Sequence, residues 1–211
     1  MESVFHTNGT QRSLPSKSWF QEITAGGYRA LILDCDGTLV ESSEVHLTSF
    51  QAAVRAQGQD MQRDWYFART GLDRRSLFTA FSAEISNGFD VERAIKNSIQ
   101  NFIELSPAVT SIDETAELVQ ALEKTHPMAV ATNAELEVAT ASLSATNLLG
   151  YFGFIASISD NVAAKPAPDI YVLAAERLGF QTNDTLVFED SKEGVRAALD
   201  AGLDVIQIIH D

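Results

Sequence analysis

Two aspartates, Asp34 and Asp36, stand in the stretch LILDCDGTLVES, directly behind an apolar run and directly before Gly37 and Thr38. Two other short apolar runs end in the same way: Thr132 and Asn133 follow MAVA, and Glu189 and Asp190 follow TLVF. Carboxylates gathered at one place repel one another unless a cation neutralises them. An all-oxygen donor set suits a hard ion such as Mg2+, and no Cys/His spacing in the chain suggests zinc. Beside such an ion a carboxylate oxygen of Asp34 can attack phosphorus, because the metal and nearby donors offset the repulsion between two anions. Asp36 is placed to protonate the departing oxygen and later to deprotonate an attacking water. Gly37 permits the sharp turn that lets the pair converge.

Residues so far apart in the chain meet if each stands at the end of a strand in one sheet. ALILD, MAVAT, FIAS, TLVFED and DVIQII are short, apolar and mostly aliphatic or β-branched, as buried parallel strands are. Helix-period segments lie between them, which is the signature of βα units and an α/β fold. SIDETAELVQALEK opens with Ser111 and Glu114 in capping-box spacing, and SKEGVRAALDAG stops at Gly202. From Val45 to about Leu105 the alternation fails: VHLTSFQAAVRAQ, RRSLFTAFSAEI and VERAIKNSIQNFIEL all read as helices. The expected organisation is an extension over 1–27, partly ordered at best and pinned by Trp19 and Phe20. A core follows over 28–43 and 107–211, with a helical insertion over 44–106.

In order, DCDGTLVES, ATN, KPAPDIY and FEDS resemble the four motifs of the haloacid dehalogenase superfamily, and the resemblance runs from about Tyr28 to the C-terminus. It implies a Rossmann-like three-layer core with a parallel sheet, and an inserted α-helical cap after the first motif. It implies that Asp34 is phosphorylated, Asp36 is the acid/base, Thr132 hydrogen-bonds the transferred group and Lys165 balances its charge. Mg2+ would be held by Asp34, the Asp36 backbone carbonyl and Asp190, with support from Glu189. The superfamily's dehalogenases lack this acid/base pairing, and its ion pumps carry threonine where this chain has Asp36.

Finer features are similar to the branch containing β-phosphoglucomutase and sugar-phosphate phosphatases. ESSEVH sets His46, GLDRRS sets Arg74 and IKNSIQNF sets Lys96 as substrate contacts, with Asn133 beside Thr132. Where many such members carry a basic residue after the second motif, this chain has Glu135, which would repel a second phosphate. The expectation is a magnesium-dependent phosphatase for a small phosphorylated metabolite such as a sugar phosphate. A phosphomutase and a non-catalytic binding module are the alternatives.

Simpler readings apply to single residues. A lone aspartate at a strand end is usually a turn or cap residue, and only the four motifs together outweigh that. Cys35 reads as a buried filler pointing away from both acids, since strand side chains alternate. Lys192 and Arg196 read as surface residues, and His46 reads equally as a helix filler.

Composition narrows the partners. With 211 residues, 45% hydrophobic and 21% charged, the chain is ordinary for a globular protein. Fifteen Lys and Arg against 29 Asp and Glu give a net charge of -14, which repels nucleic acid and acidic membrane surfaces. A single cysteine, no secretory apolar segment and no membrane-length run lead to the expectation of a cytoplasmic protein. Nothing in the sequence fixes an oligomeric state, and a monomer suffices.

Overall fold

The structure, a computed structural model, describes residues 1–7, 9–85 and 88–210; the expected segments also contain Asn8, Ser86, Asn87 and Asp211, which lie outside them. The chain opens with a hairpin, β1 (Glu2–Thr7) and β2 (Thr10–Ser13), and helix α1 (Trp19–Gly26). Strand β3 (Ala30–Leu33) leads through the short β4 (Val40–Glu41) into helices α2 (Ser43–Arg55), α3 (Arg63–Phe67), α4 (Arg74–Glu84) and α5 (Val91–Leu105). It returns through β5 (Thr110–Ser111) and then alternates: α6 (Asp113–Leu122), β6 (Met128–Thr132), α7 (Leu136–Ala145), β7 (Ile155–Ser157) and α8 (Asp169–Leu178). Strand β8 (Thr185–Glu189), α9 (Lys192–Asp200) and β9 (Asp204–Ile209) complete it. All five expected strands form.

The main sheet runs β2-β1-β9-β8-β3-β6-β7, with β9 to β7 parallel and the hairpin antiparallel at one edge. Alternation along the strands divides the core. Leu31, Leu33, Cys35, Val130, Leu186 and Phe188 pack with α1, α6 and α7 on one face. Ile32, Ala131, Val187 and Val205 pack with α8 and α9 on the other. This is the Rossmann-like three-layer arrangement, and Cys35 is buried on the face its parity assigns.

The amino-terminal segment is ordered into the sheet rather than loosely attached. Strand β1 pairs with β9 from Glu2↔Ile209 to His6↔Val205. Trp19 is buried against the Phe188 ring, edge-on at 5.2 Å, and donates its indole N–H to Ser3 Oγ at 2.9 Å. Phe20, by contrast, is exposed. The capping box expected at Ser111 and Glu114 does not form, because Ser111 pairs with Val40 and Ile112 takes the N-cap position.

Helices α2–α5 carry a separate apolar cluster built on Phe50, Tyr66, Leu77, Phe78 and Phe81. Asp73 caps α4 and Asp90 caps α5, each accepting a backbone N–H three residues on at 3.0 Å. The two connections between this insertion and the core are tied side by side. Val40↔Ser111 and Glu41↔Thr110 form a small ladder, and Thr115 Oγ1 donates to the Thr38 carbonyl at 2.7 Å.

Candidate active site

The chain passes from β3 outward to β6 and β7 on one side and later to β8 and β9 on the other. A crevice therefore opens at the carboxyl ends beside β3, where ligands bind in such sheets. Asp34 follows β3, Thr132 ends β6, and Glu189 ends β8 with Asp190 beyond it. The insertion lies over this edge and, with the core, lines a cavity of about 570 Å³.

Lys165, on the loop before α8, is buried at its floor. Its ammonium donates to Asp34 Oδ1 at 2.5 Å and to the Ala131 carbonyl at 2.9 Å, and stands 3.5 Å from Glu189 Oε1. The Tyr171 ring lies beneath it, 4.8 Å from the ammonium to the ring centroid. Burial works against its charge, but Asp34 and Glu189 raise its pKa well above the ordinary value. Asn133 holds this loop by both polar ends: its Oδ1 accepts the Lys165 N–H at 2.8 Å, and its Nδ2 donates to the Lys165 carbonyl at 3.3 Å. Thr132 is buried, with Oγ1 accepting the Ala134 N–H at 3.0 Å.

Asp34, Glu189 and Asp190 each offer a carboxylate oxygen within 4.8 Å of the other two. Burial first, with neighbouring carboxylates adding to it, pushes all three upward, Asp34 to about 7; Lys165 opposes this at each, and at Asp190 His210 opposes it more strongly. One lysine does not balance three converging acids, so this donor set fits a hard divalent cation. Two glycines leave room for it. A Cβ at Gly37, whose φ is +83°, would fall onto the Asp190 carboxylate, and a Cβ at Gly194 would fall onto that of Glu189.

Asp36 is turned to a different set of partners. Its Oδ1 accepts from Ser42 Oγ at 2.5 Å and lies 3.2 Å from His46 Nε2. Burial alone would raise its carboxyl, but His46, Ser42 and Arg74 outweigh this and hold it below the usual range. The His46 ring packs on Phe102, with centroids 4.3 Å apart, so His46 both fills the helix interface and reaches the site.

The insertion side holds Arg74, at the start of α4. Its Nε donates to both Glu135 oxygens, at 3.1 and 2.9 Å, and Nη1 donates to Ser98 Oγ at 2.9 Å. Its guanidinium carbon lies 4.7 Å from the Phe50 ring centroid. Glu135 is therefore the partner of Arg74 rather than an isolated negative group. Lys96 is not brought to the site. Helix α5 turns Ala94, Ser98 and Phe102 inward, and Lys96, two residues from both Ala94 and Ser98, is exposed on the opposite face. Lys192, read as a surface residue, is exposed and also borders the cavity; Arg196 is exposed.

Sequence reasoning missed Ser42, Ser98, Tyr171 and His210. His210 Nε2 stands 2.7 Å from the Gly37 carbonyl and 3.9 Å from Asp190 Oδ2. Its signal was its position at the carboxyl end of the strand next to β8.

The chain matches the haloacid dehalogenase-like hydrolase family over residues 31–208 and belongs to it; it is an enzyme of the hydrolase class. It is 27% identical over 188 residues to fructose-1-phosphate phosphatase YqaB of Escherichia coli (strain K12), covering 86% of this chain and 96% of that one. It is 30% identical to the protein CbbY of Rhodobacter capsulatus, covering 84% of each. A solved structure of a CbbY mutant from Rhodobacter sphaeroides, in complex with xylulose-(1,5)bisphosphate, has a TM-score of 0.78 at 25% identity over 84% of each chain. Among the described residues no helix is long and apolar enough to cross a membrane.

Proposed function

We propose that this hydrolase is a magnesium-dependent phosphatase that releases phosphate from a small phosphorylated metabolite, a sugar phosphate, through a phosphorylated Asp34. The observation that carries this reading is the convergence of Asp34, Glu189 and Asp190 around one point with Lys165 on Asp34 Oδ1. The name of the Escherichia coli relative, a sugar-phosphate phosphatase, supports the same chemistry. Helices α2–α5 act as the cap.

Asp34, Glu189 and Asp190 would hold Mg2+, with the Asp36 carbonyl as a further ligand; when bound, the ion supplies positive charge that lets an anionic nucleophile approach an anionic phosphoryl group. Lys165 fixes Asp34 Oδ1 and draws charge from the phosphoryl oxygens, and Thr132 donates to them. An Asp34 oxygen forms the new bond to phosphorus as the bond to the sugar oxygen breaks, and Asp36 gives that oxygen a proton. In the second half a water attacks the phosphorus, Asp36 takes its proton, and the bond from Asp34 to phosphorus breaks. His46 and Ser42 favour the ionised form that Asp36 takes once it has given the sugar oxygen its proton, the form that accepts the proton of the water.

The phosphomutase reading needs an open cation to hold a second phosphate, and Arg74 is already committed to Glu135. The binding-module reading conflicts with a complete and connected set of reactive groups. Asp34→Asn tests the mechanism: phosphate release with Mg2+ should fall by at least about 10³-fold with the fold intact, as loss of a nucleophile does elsewhere. Acid-quenched wild type should carry a phosphoryl group on the peptide containing Asp34. Retained turnover in the variant would exclude the mechanism. Following free phosphate beside isomerised sugar phosphate separates phosphatase from mutase.

A further inference from the structure

The pairing of Arg74 with Glu135 joins two parts of the molecule. Arg74 belongs to the insertion and Glu135 is the N-cap residue of α7 in the core, so the bond exists only when the insertion lies against the core. Both side chains are largely out of water, 3% and 13% exposed, and both line the cavity. A buried guanidinium without a partner is costly. Here the partner is a carboxylate held at both oxygens, so this end of the cavity is electrically neutral.

The insertion side does not restore a positive charge, and Lys192 borders the cavity from the core side, at the start of α9. Arg69, which also lines the insertion side, donates to Glu84 at 3.0 Å and lies over the Trp65 ring. The rest of that wall is largely aromatic and aliphatic, with Phe50, Tyr66 and Leu77. A second anionic group on a substrate would meet Glu135 with its matching cation already taken. A hydroxylated, uncharged leaving group would meet aromatic faces, and the guanidinium N–H groups not committed to Glu135 and Ser98.

We propose that Glu135 is a specificity-determining residue that sets the charge of the accepted substrate: by pairing with Arg74 it restricts the enzyme to metabolites carrying one phosphate. This rests on the phosphatase reading and deepens it. Neutralising Glu135 while keeping its size frees the Arg74 charge and opens the same end of the cavity to a second phosphate.

The test compares phosphate release, with Mg2+, from a hexose monophosphate and from the hexose bisphosphate that adds one phosphate to it; fructose 1-phosphate and fructose 1,6-bisphosphate serve as probes. In wild type kcat/KM should favour the monophosphate by at least about 10-fold, the scale on which pocket contacts discriminate substrates. In Glu135→Gln the bisphosphate-to-monophosphate ratio should rise at least about 10-fold, mainly through a lower bisphosphate KM. The rise should vanish in Arg74→Gln/Glu135→Gln, where no freed cation remains. A purely structural role for Glu135 would lower both activities together and leave the ratio unmoved.

Wild type that turns over the bisphosphate as well as the monophosphate overturns the inference, even if the variants do not fold. So does a Glu135→Gln ratio within twofold of wild type, or a gain that persists in the double variant. Wild type that releases phosphate from no sugar phosphate overturns the functional reading and this inference with it. Activity without discrimination overturns this inference alone.

Discussion

The two walls of the cavity are built on opposite electrostatic terms. On the core wall Asp34, Glu189 and Asp190 converge beside one buried ammonium, Lys165, and burial pushes all three upward, while Asp36 is turned to Ser42 and His46. On the insertion wall the buried Arg74 is matched by Glu135, and the remaining surface is mostly aromatic. On the proposed function, the unbalanced charge is where a cation and a phosphoryl group would sit. The balanced charge is where an uncharged part of the substrate would sit. Chemistry and selectivity are thus separated by wall, and changes to each should have different readouts.

The largest expected effect breaks the balance of the insertion wall. Arg74→Met leaves Glu135 without its partner and should cost about 3 kcal/mol of stability, the lower end for a broken buried ion pair because Glu135 keeps some access to water. Chemical denaturation measures it, and a loss under about 1 kcal/mol, the level of a surface pair, would mean that the wall is balanced by something else.

The core wall should respond chiefly in rate. Gly194→Ala sets a methyl against the Glu189 carboxylate, and Gly37→Ala does the same to Asp190 from a backbone at positive φ. Displacing either carboxylate should lower kcat/KM by about 10²-fold, the usual consequence of misplacing a reacting constellation by roughly an ångström. Phosphate release across a Mg2+ titration would show it as weaker metal dependence; unchanged activity in both variants would mean that these carboxylates do not need their present positions.

Acidity gives a smaller effect with a defined sign. In chelator, burial raises the Asp34 carboxyl from 3.8 to about 7 despite Lys165. Between those values the folded chain holds a proton that the unfolded chain has released, so this group's contribution to stability falls as pH rises from about 4 to about 7. Mg2+ should restore stability at the upper end. Asp36 acts in reverse, since its depressed carboxyl contributes stability that is lost as pH falls. Thermal melts in EDTA and in Mg2+ between pH 5 and 8 test the difference, and a Mg2+ shift that does not grow with pH contradicts it.

The smallest effect belongs to Lys96, exposed on the outer face of α5. Lys96→Ala should change kcat/KM by less than about twofold, as surface substitutions away from a site do. A larger loss would bring α5 into the insertion wall.

The acids of the core wall were legible in the sequence because each ends an apolar strand or follows one closely, and parallel strands end at one edge; Lys165, on the loop well past β7, was legible only through the motif that contains it. The insertion wall was legible only in fragments. Arg74 and Glu135 are each visible alone, one as a cation for substrate and the other as a source of repulsion. That they cancel depends on how a helical insertion folds back over the core, which no local pattern encodes. Lys96 was a different kind of miss: the four-residue recurrence of Ala94, Ser98 and Phe102 already places it on the outer face. The amino-terminal strand escaped notice because its partner is β9, at the far end of the chain, and only Ser3 and Phe5 are buried within it.

The small ladder of β4 and β5 has a mechanical consequence. Two connections fastened side by side behave as a hinge pin and not as a ball joint: a body hung from them swings about one axis and resists sliding. One rail of that pin begins at Val40, to which Asp36 is itself bridged, while the Gly37 N–H is donated to the Val40 carbonyl at 2.8 Å. On the proposed mechanism Asp36, the group that would move the proton, is therefore geared to this hinge, and the angle at which the insertion stands would also set where that proton can go.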